Sequence, residues 1–325
     1  MESVLVTGAT GLIGANICKL LRARDVRTTA LVRPASDASE LEALGVEIVR
    51  GDITSEADVH RAAQGVEVIV NSAALLGGAS QDMEEQLAAN HLGSVYCYDA
   101  ALDGGRRVIE LTTTPFLRPD ITLTEFPEIL PEEQIPDNPY AVSKGRAFRD
   151  GLERVHQKGE DIVFVIPGGT FGPSPCVERA MHSTSFNRLV RAGVLGRVKD
   201  YAASPIPWVR AEDVADATIR SIERGEAGVT YIAFGPDEPM TTAQFLNLAC
   251  EVAGVEHRVE DVVVQPGDEE GLARYGPTVF EMLTREYPKP QFDNELTRTT
   301  LGYEPLDIRS SLEETVAWMR AHGIV

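Results

Sequence analysis

Asn138-Pro139-Tyr140-Ala141-Val142-Ser143-Lys144 sets a phenol and an ammonium four residues apart. On a helix that spacing puts both groups on one face. A phenol titrates at about pH 10 and is a poor acid–base group at neutrality. A nearby cation stabilises the phenolate and brings proton exchange within reach. Tyr140 can then pass a proton to or from a carbonyl or hydroxyl oxygen while a hydride moves, and Lys144 can also hold a nicotinamide ribose. Alone, Y-x-x-x-K is common on surface helices, so its meaning depends on its company.

That company begins at Thr7-Gly8-Ala9-Thr10-Gly11-Leu12-Ile13-Gly14, a G-x-x-G-x-x-G turn. Gly8 permits a tight turn, Gly11 lets backbone approach a pyrophosphate, and Gly14 lets a helix pack on a strand. The helix start at Gly11, Leu12, Ile13 and Gly14, with Thr10 beside it, offers free N–H groups and a partial positive charge to phosphates. Leu31-Val32-Arg33-Pro34 follows the second apolar run. A carboxylate there suits the ribose of NAD(H), whereas an Arg suits the 2′-phosphate of NADP(H). Arg33 therefore favours NADP(H), with NAD(H) still possible and a solvated surface Arg as the plain alternative. Asp52 and Ile53 are placed to meet an adenine, although Asp52 fits a turn equally well. Thr112-Thr113-Thr114 offers hydroxyls to polarise a substrate oxygen, or simply three strand-forming residues.

These residues need elements to hold them. Strand patterns cover Ser3–Thr7, Val26–Val32, Val46–Val49, Val66–Asn71, Arg107–Thr112 and Ile162–Ile166. Helical patterns cover Ile13–Arg24, Ala38–Leu44, Ser55 to Ala63, Gln81–Leu102 and a helix that begins at Pro139, with Asn138 as its N-cap. Strand–helix alternation with short connections predicts an α/β, Rossmann-type doubly wound parallel sheet. Ligands of such sheets bind at the carboxyl ends of the strands, where the glycine turn and the threonines fall. After Ile166 prolines and glycines cluster. Helices at Glu212–Arg224, Thr241–Ala253 and Ser311–His322 alternate with strands at Val229–Phe234 and Arg258–Val264. The expected division is a dinucleotide-binding domain at 1–166, rejoined by 205–234, with 167–204 and 235–325 as a smaller, interleaved C-terminal substrate-binding region.

Composition narrows the class. The 325 residues suffice for a large core. Lys and Arg number 30 and Asp and Glu 50, a net charge of −20. That balance opposes nucleic-acid binding and docking on anionic membrane, although a local patch can still hold a phosphate. No apolar run reaches the roughly 20 residues of a membrane span. Met1-Glu2-Ser3 lacks the basic start of a signal peptide. Cys18, Cys97, Cys176 and Cys250 are dispersed and the histidines scattered, so reduced thiols, a cytoplasmic setting and no metal site are expected.

Taken together, the chain resembles the extended branch of the short-chain dehydrogenase/reductase superfamily. That branch includes sugar-nucleotide epimerases and dehydratases, dihydroflavonol and cinnamoyl-CoA reductases, and 3β-hydroxysteroid dehydrogenases. The resemblance covers nearly the whole chain. It rests on T-G-A-T-G-L-I-G at 7–14, G-D-I-T at 51–54, N-S-A-A at 71–74, N-H-L-G-S at 90–94, P-Y-A-V-S-K at 139–144 and P-G-G-T-F-G-P at 167–173. L-G-Y-E-P at 301–305 resembles the family's closing motif and leads us to expect a complete chain.

The resemblance implies that Tyr140 is the acid–base, Lys144 its partner, and Thr114, with Thr113 as the fallback, the hydroxyl of the triad. It implies that Ala73 and Ala74 line the cofactor, that Asn90 supports the cofactor side, and that Pro167, Gly168 and Thr170 border the nicotinamide. Thr-Pro-Phe-Leu at 114–117 replaces the V-Y-G context common in sugar-nucleotide enzymes, and L-V-R-P-A-S-D at 31–37 is closer to reductase-type members. The expectation is an NADP(H)-dependent carbonyl reductase or alcohol dehydrogenase for a small-molecule substrate, with a redox-neutral sugar-nucleotide epimerase as the alternative. Phe116–Asp137, Ser174–Lys199 and Gly271–Pro290 should shape the pocket. Phe171, Phe186, Trp208 and Tyr275 stand open between substrate contact and core packing. Helices 81–102 and 139–156 suggest a homodimer.

Overall fold

The computed structural model describes residues 1–77, 79–117, 129–135, 138–284 and 293–325. Seven parallel strands form its central sheet: β1 (Ser3–Thr7), β2 (Arg27–Val32), β3 (Glu47–Arg50), β4 (Val68–Asn71), β5 (Arg107–Leu111), β6 (Ile162–Pro167) and β7 (Thr230–Ala233). Their order is β7-β6-β5-β4-β1-β2-β3. The order reverses beside β1, leaving a crevice at the carboxyl ends where such sheets bind ligands. The register sets Thr7 opposite Leu31 and Asn71, and Asn71 opposite Glu110.

Side chains alternate across the strands, so each face feeds a separate core. Val4 and Val6 join Ile17 and Leu21 of helix α1 (Leu12–Ala23) on one face. Leu5 joins Ile69, Tyr98 and Phe164 on the other. Each fully buried Ile or Leu contributes about 1.5–3 kcal/mol relative to exposure. A third core, distinct from both, gathers Phe171, Val190, Trp208, Phe245, Leu312 and Met319. It is bounded by helices α2 (Phe186–Val194), α3 (Thr242–Ala253) and α4 (Ile308–Ala321), the last capped by Asp307 Oδ1 on the Ser310 N–H at 2.9 Å.

Several element readings change. The helix expected over Gln81–Leu102 is divided into Met83–Gln86, a π-helical stretch Leu87–Leu92, and Gly93–Gly104. Widened turns of this kind recur at functional sites, and this one carries Asn90. The C-terminal helix starts at Ile308, three residues before the expected Ser311, because Asp307 supplies the cap. The strand expected over Arg258–Val264 shrinks to Glu260–Val262, paired with Asp200–Ala202. Helices Glu269–Thr284 and Glu295–Leu301 were not foreseen. Among the described residues no helix is long and apolar enough to cross a membrane.

Candidate active site

The turn after β1 is shaped by contacts that only glycine tolerates. Gly8 has φ +64°, and a Cβ there would lie 2.6 Å from the Ala73 nitrogen. A Cβ on Gly14 would collide with the Gly8 carbonyl and reach within 2.8 Å of Ser72 Oγ. Gly11 caps α1, its N–H donating to the Gly8 carbonyl at 2.9 Å. No acidic residue occupies the first turn of α1, so its dipole and free N–H groups at Leu12, Ile13 and Gly14 are available to an anion.

A cleft of about 610 Å³ opens from this turn. Of the residues expected at the cofactor, Gly8, Thr10, Gly11, Arg33, Asp52, Ile53, Ala73 and Ala74 line it. Its size lies in the range of small-molecule and cofactor sites, and its glycine cradle fits a dinucleotide pyrophosphate. The exposed Arg33 stands at the end of β2, followed by Ser36 on the lining. Asp52 is engaged in its own turn, Oδ1 accepting from the Thr54 N–H at 3.0 Å and hydroxyl at 2.9 Å. Arg179, His182 and Thr184 also line the cleft. They fall within Ser174–Lys199, expected to shape the substrate pocket, but sequence reasoning singled out none of them because no motif marks that stretch.

The loop leaving β4 runs from this cleft toward Tyr140. Ala73, Ala74, Leu75 and Leu76 line the cleft, and a Cβ on Gly77 would sit 3.2 Å from Tyr140 Cβ. The buried Asn90 fastens this loop. Its Oδ1 accepts from the Leu75 N–H at 2.7 Å, and its Nδ2 lies 3.0 Å from the Leu75 carbonyl and 3.1 Å from Ser143 Oγ. Ser143 in turn donates to the Tyr140 carbonyl at 3.0 Å. Asn90 thus joins the loop after β4 to the helix Pro139–Lys158 without lining the cleft itself.

Asn138 caps that helix, its Oδ1 accepting from the Tyr140 N–H at 3.0 Å. Tyr140 is half-buried, and its phenol has no hydrogen-bond partner among the described residues. Lys144 differs. It is 2% exposed, and its ammonium donates to Glu110 Oε1 at 3.1 Å and to the Leu111 carbonyl at 2.7 Å. Glu110 is fully buried and also accepts from Asn71 Nδ2 at 2.7 Å and Ser94 Oγ at 3.0 Å. Thr7 Oγ1 donates to Asn71 Oδ1 at 2.5 Å. A polar chain therefore links the ends of β1, β4 and β5 to Lys144. Sequence reasoning missed Glu110, yet a signal existed: a lone carboxylate inside Val108-Ile109-Glu110-Leu111 must find a partner when buried. The neighbouring Tyr98 phenol is pushed well up by burial and then by the Glu110 charge, so it stays protonated.

Thr112 is buried with no hydrogen-bond partner for its hydroxyl among the described residues, whereas Thr113 and Thr114 are half-buried. Pro167 ends β6, and a Cβ on Gly168 would collide with the Pro207 carbonyl. The Thr170 hydroxyl donates to the Gly168 carbonyl at 2.9 Å. None of these three lines the cleft described above. Phe171 and Trp208 are core residues: Trp208 stacks on Phe245 at 3.8 Å and 6°, and Phe171 meets Phe245 edge-on at 4.8 Å. Packing claims them because both lie where β-bridged backbone meets α3. Phe186 is half-buried against Trp208. Tyr275 is half-buried beside Tyr201. Phe116 is buried against Phe148, and Phe126 lies outside the described residues.

With this geometry, comparison with known proteins is informative. The model of the NAD dependent epimerase/dehydratase family matches residues 4–234. Sterol demethylase protein B of Methylococcus capsulatus is 27% identical, covering 99% of this chain and 100% of that protein. A dTDP-4-dehydro-6-deoxy-D-allose reductase of Streptomyces bikiniensis is 26% identical, covering 99% and 97%. Among solved structures, gox2253 superposes with a TM-score of 0.82 at 27% identity, with all of both chains covered.

Proposed function

The chain belongs to the NAD dependent epimerase/dehydratase family, and from that premise we propose an NADP(H)-dependent oxidoreductase that interconverts a carbonyl and an alcohol on a small organic substrate. That it is an NAD(P)-dependent enzyme follows from the family. The net redox direction, the NADP(H) preference and the residue roles are our reading. The observation that carries it is Arg33 at the end of β2, lining the cofactor cleft without an ion pair among the described residues.

Gly8, Thr10 and Gly11 would hold the pyrophosphate with the N–H groups of Leu12, Ile13 and Gly14. Arg33 would hold the 2′-phosphate, Asp52 and Ile53 the adenine side, and Ala73 and Ala74 the path toward nicotinamide. Pro167, Gly168 and Thr170 would border the nicotinamide end. A bound dinucleotide would supply hydride in reduction and accept it in oxidation. Tyr140 would donate its phenolic proton to the substrate carbonyl oxygen. Its unpartnered hydroxyl suits this role, since no described neighbour competes for the proton. Thr114, with Thr113 as the alternative, donates a hydrogen bond to the same oxygen and stabilises its developing charge. Lys144 keeps positive charge beside the phenol's helix turn, held in place by Glu110. The substrate would be enclosed by 167–204 and 235–325, the region built on the third core.

The test is Tyr140→Phe. Carbonyl reduction should fall by about 10²-fold or more, the range expected for loss of a general acid, while NADPH binding persists. Undiminished turnover would remove Tyr140 from the proton transfer.

A further inference from the structure

The cleft is bounded near Arg33 by a segment that no motif identifies, residues 173–184. Two contacts fasten it to α1 and the first core. Asn16 Nδ2 donates to the Pro173 carbonyl at 3.0 Å. Cys176, 2% exposed, enters the core that also holds Cys18, Ala38 and Leu41. The short helix Val177–Ala180 follows, anchored by the fully buried Ala180. Arg179 projects from it onto the lining that Arg33 and Ser36 share.

The charges on this lining are unevenly matched. Its two carboxylates both have donors: Asp52 accepts from Thr54 and Glu85 accepts from the Ser80 hydroxyl at 2.7 Å. Its two guanidiniums, Arg33 and Arg179, have neither an ion pair nor a side-chain hydrogen bond among the described residues. His182 and Thr184 lie within 3.2 Å of each other through Nδ1 and Oγ1. In a chain of net charge −20, acids are plentiful, and Asp37 and Glu40 act on the same Cys176 as Arg179 does, yet neither cation on this lining is taken up in an ion pair among the described residues. An anionic ligand completes that arrangement, and a guanidinium fork matches the oxygens of a phosphate monoester.

We propose that Arg33 and Arg179 bind together the phosphate monoester on the adenosine ribose of NADP(H). Selection of the cofactor is then shared between the end of β2 and the segment after β6. This rests on the NADP(H) reading above. The same phosphate chemistry occurs in the cofactor's pyrophosphate, so the experiment separates the two sources.

The full chain, as wild type, Arg33→Ala, Arg179→Ala and Arg179→Lys, is titrated with NADPH and with NADH. Adenosine 2′-monophosphate and adenosine 5′-monophosphate serve as competitors. The wild type should bind NADPH more tightly than NADH. Each alanine variant should weaken NADPH roughly tenfold to a hundredfold, as loss of a charge-assisted hydrogen bond does, and NADH by less than about threefold. Arg179→Lys should recover part of the loss, and only the 2′-monophosphate should lose competitive strength in the alanine variants. If Arg33→Ala weakens NADPH and Arg179→Ala does not, the proposal fails while the cofactor reading stands. Equal loss of both dinucleotides in Arg179→Ala would assign Arg179 to the pyrophosphate and overturn the proposal. Wild-type preference for NADH, with Arg33→Ala silent, would overturn the cofactor reading and the proposal with it.

Discussion

The ammonium of Lys144 and the carboxylate of Glu110 share a buried pocket at 2% exposure and full burial. Removing one partner of such a pair leaves an uncompensated charge, at a cost of about 3–5 kcal/mol. Glu110→Leu should therefore lower unfolding stability by about that amount, and Glu110→Leu with Lys144→Met should regain much of it. Denaturant unfolding of the wild type and the two variants measures this, and an undisturbed single variant would contradict the pairing. Residue types and spacing made Gly8 and Gly14 legible, because a tight turn and a close helix contact demand glycine, and they set Tyr140 and Lys144 four residues apart on one helix. Glu110 was hidden among apolar neighbours. Its meaning comes from the register that sets Asn71 opposite it and from Lys144, 34 residues onward.

Among the elements, the π-helical stretch Leu87–Leu92 holds the loop after β4 to the Tyr140 helix through one side chain. Asn90→Ala would leave the Leu75 N–H without that acceptor, at about 1–3 kcal/mol. Dinucleotide affinity should fall along with stability, read by titration and by unfolding on the same variant. A loss of stability with unchanged affinity would separate Asn90 from cofactor binding. At the end of the turn after β3, Asp58 Oδ2 accepts from the Asp52 N–H at 3.0 Å. That bond, and then Arg61, hold the Asp58 carboxyl below its ordinary range. Since the folded group titrates lower than the unfolded one, its contribution is complete above about pH 4 and fades as pH falls through the folded value. Asp58→Asn should flatten the acid-side loss of stability below about pH 4; an unchanged acid limb would contradict this. The π stretch was not legible, since an amphipathic period continues through it. The cap at Asn138 was, since Asn-Pro before a helix carries its own signal.

Over the whole molecule, strand–helix alternation specified the parallel sheet up to β6, because β1, β4, β5 and β6 bury both faces and read as apolar runs, while the edge strand β3 is carried by its place in the alternation. Beyond it, two- and three-residue ribbons such as Glu260–Val262 with Asp200–Ala202 owe their form to tertiary packing, and local pattern is weak there. Leu92 and Leu102 lie 41% and 52% exposed on the long helix over 83–104. We propose that this helix and Pro139–Lys158 form a homodimer face. The wild type should then elute near 2 × 35.3 = 70.6 kDa, and Leu92→Glu with Leu102→Glu should elute as a monomer. Wild-type elution at the monomer mass would contradict it. The net charge of −20 has a local exception at Arg33 and Arg179, which composition conceals.

The central claim is net hydride transfer from NADPH to a carbonyl. It is tested most directly by turnover with NADPH deuterated at the transferable position, followed by mass analysis of substrate and cofactor. One deuterium on the new carbinol carbon and one NADP⁺ formed per alcohol are expected. Substrate isomerised with no net oxidation of cofactor would contradict it and establish the redox-neutral reaction instead.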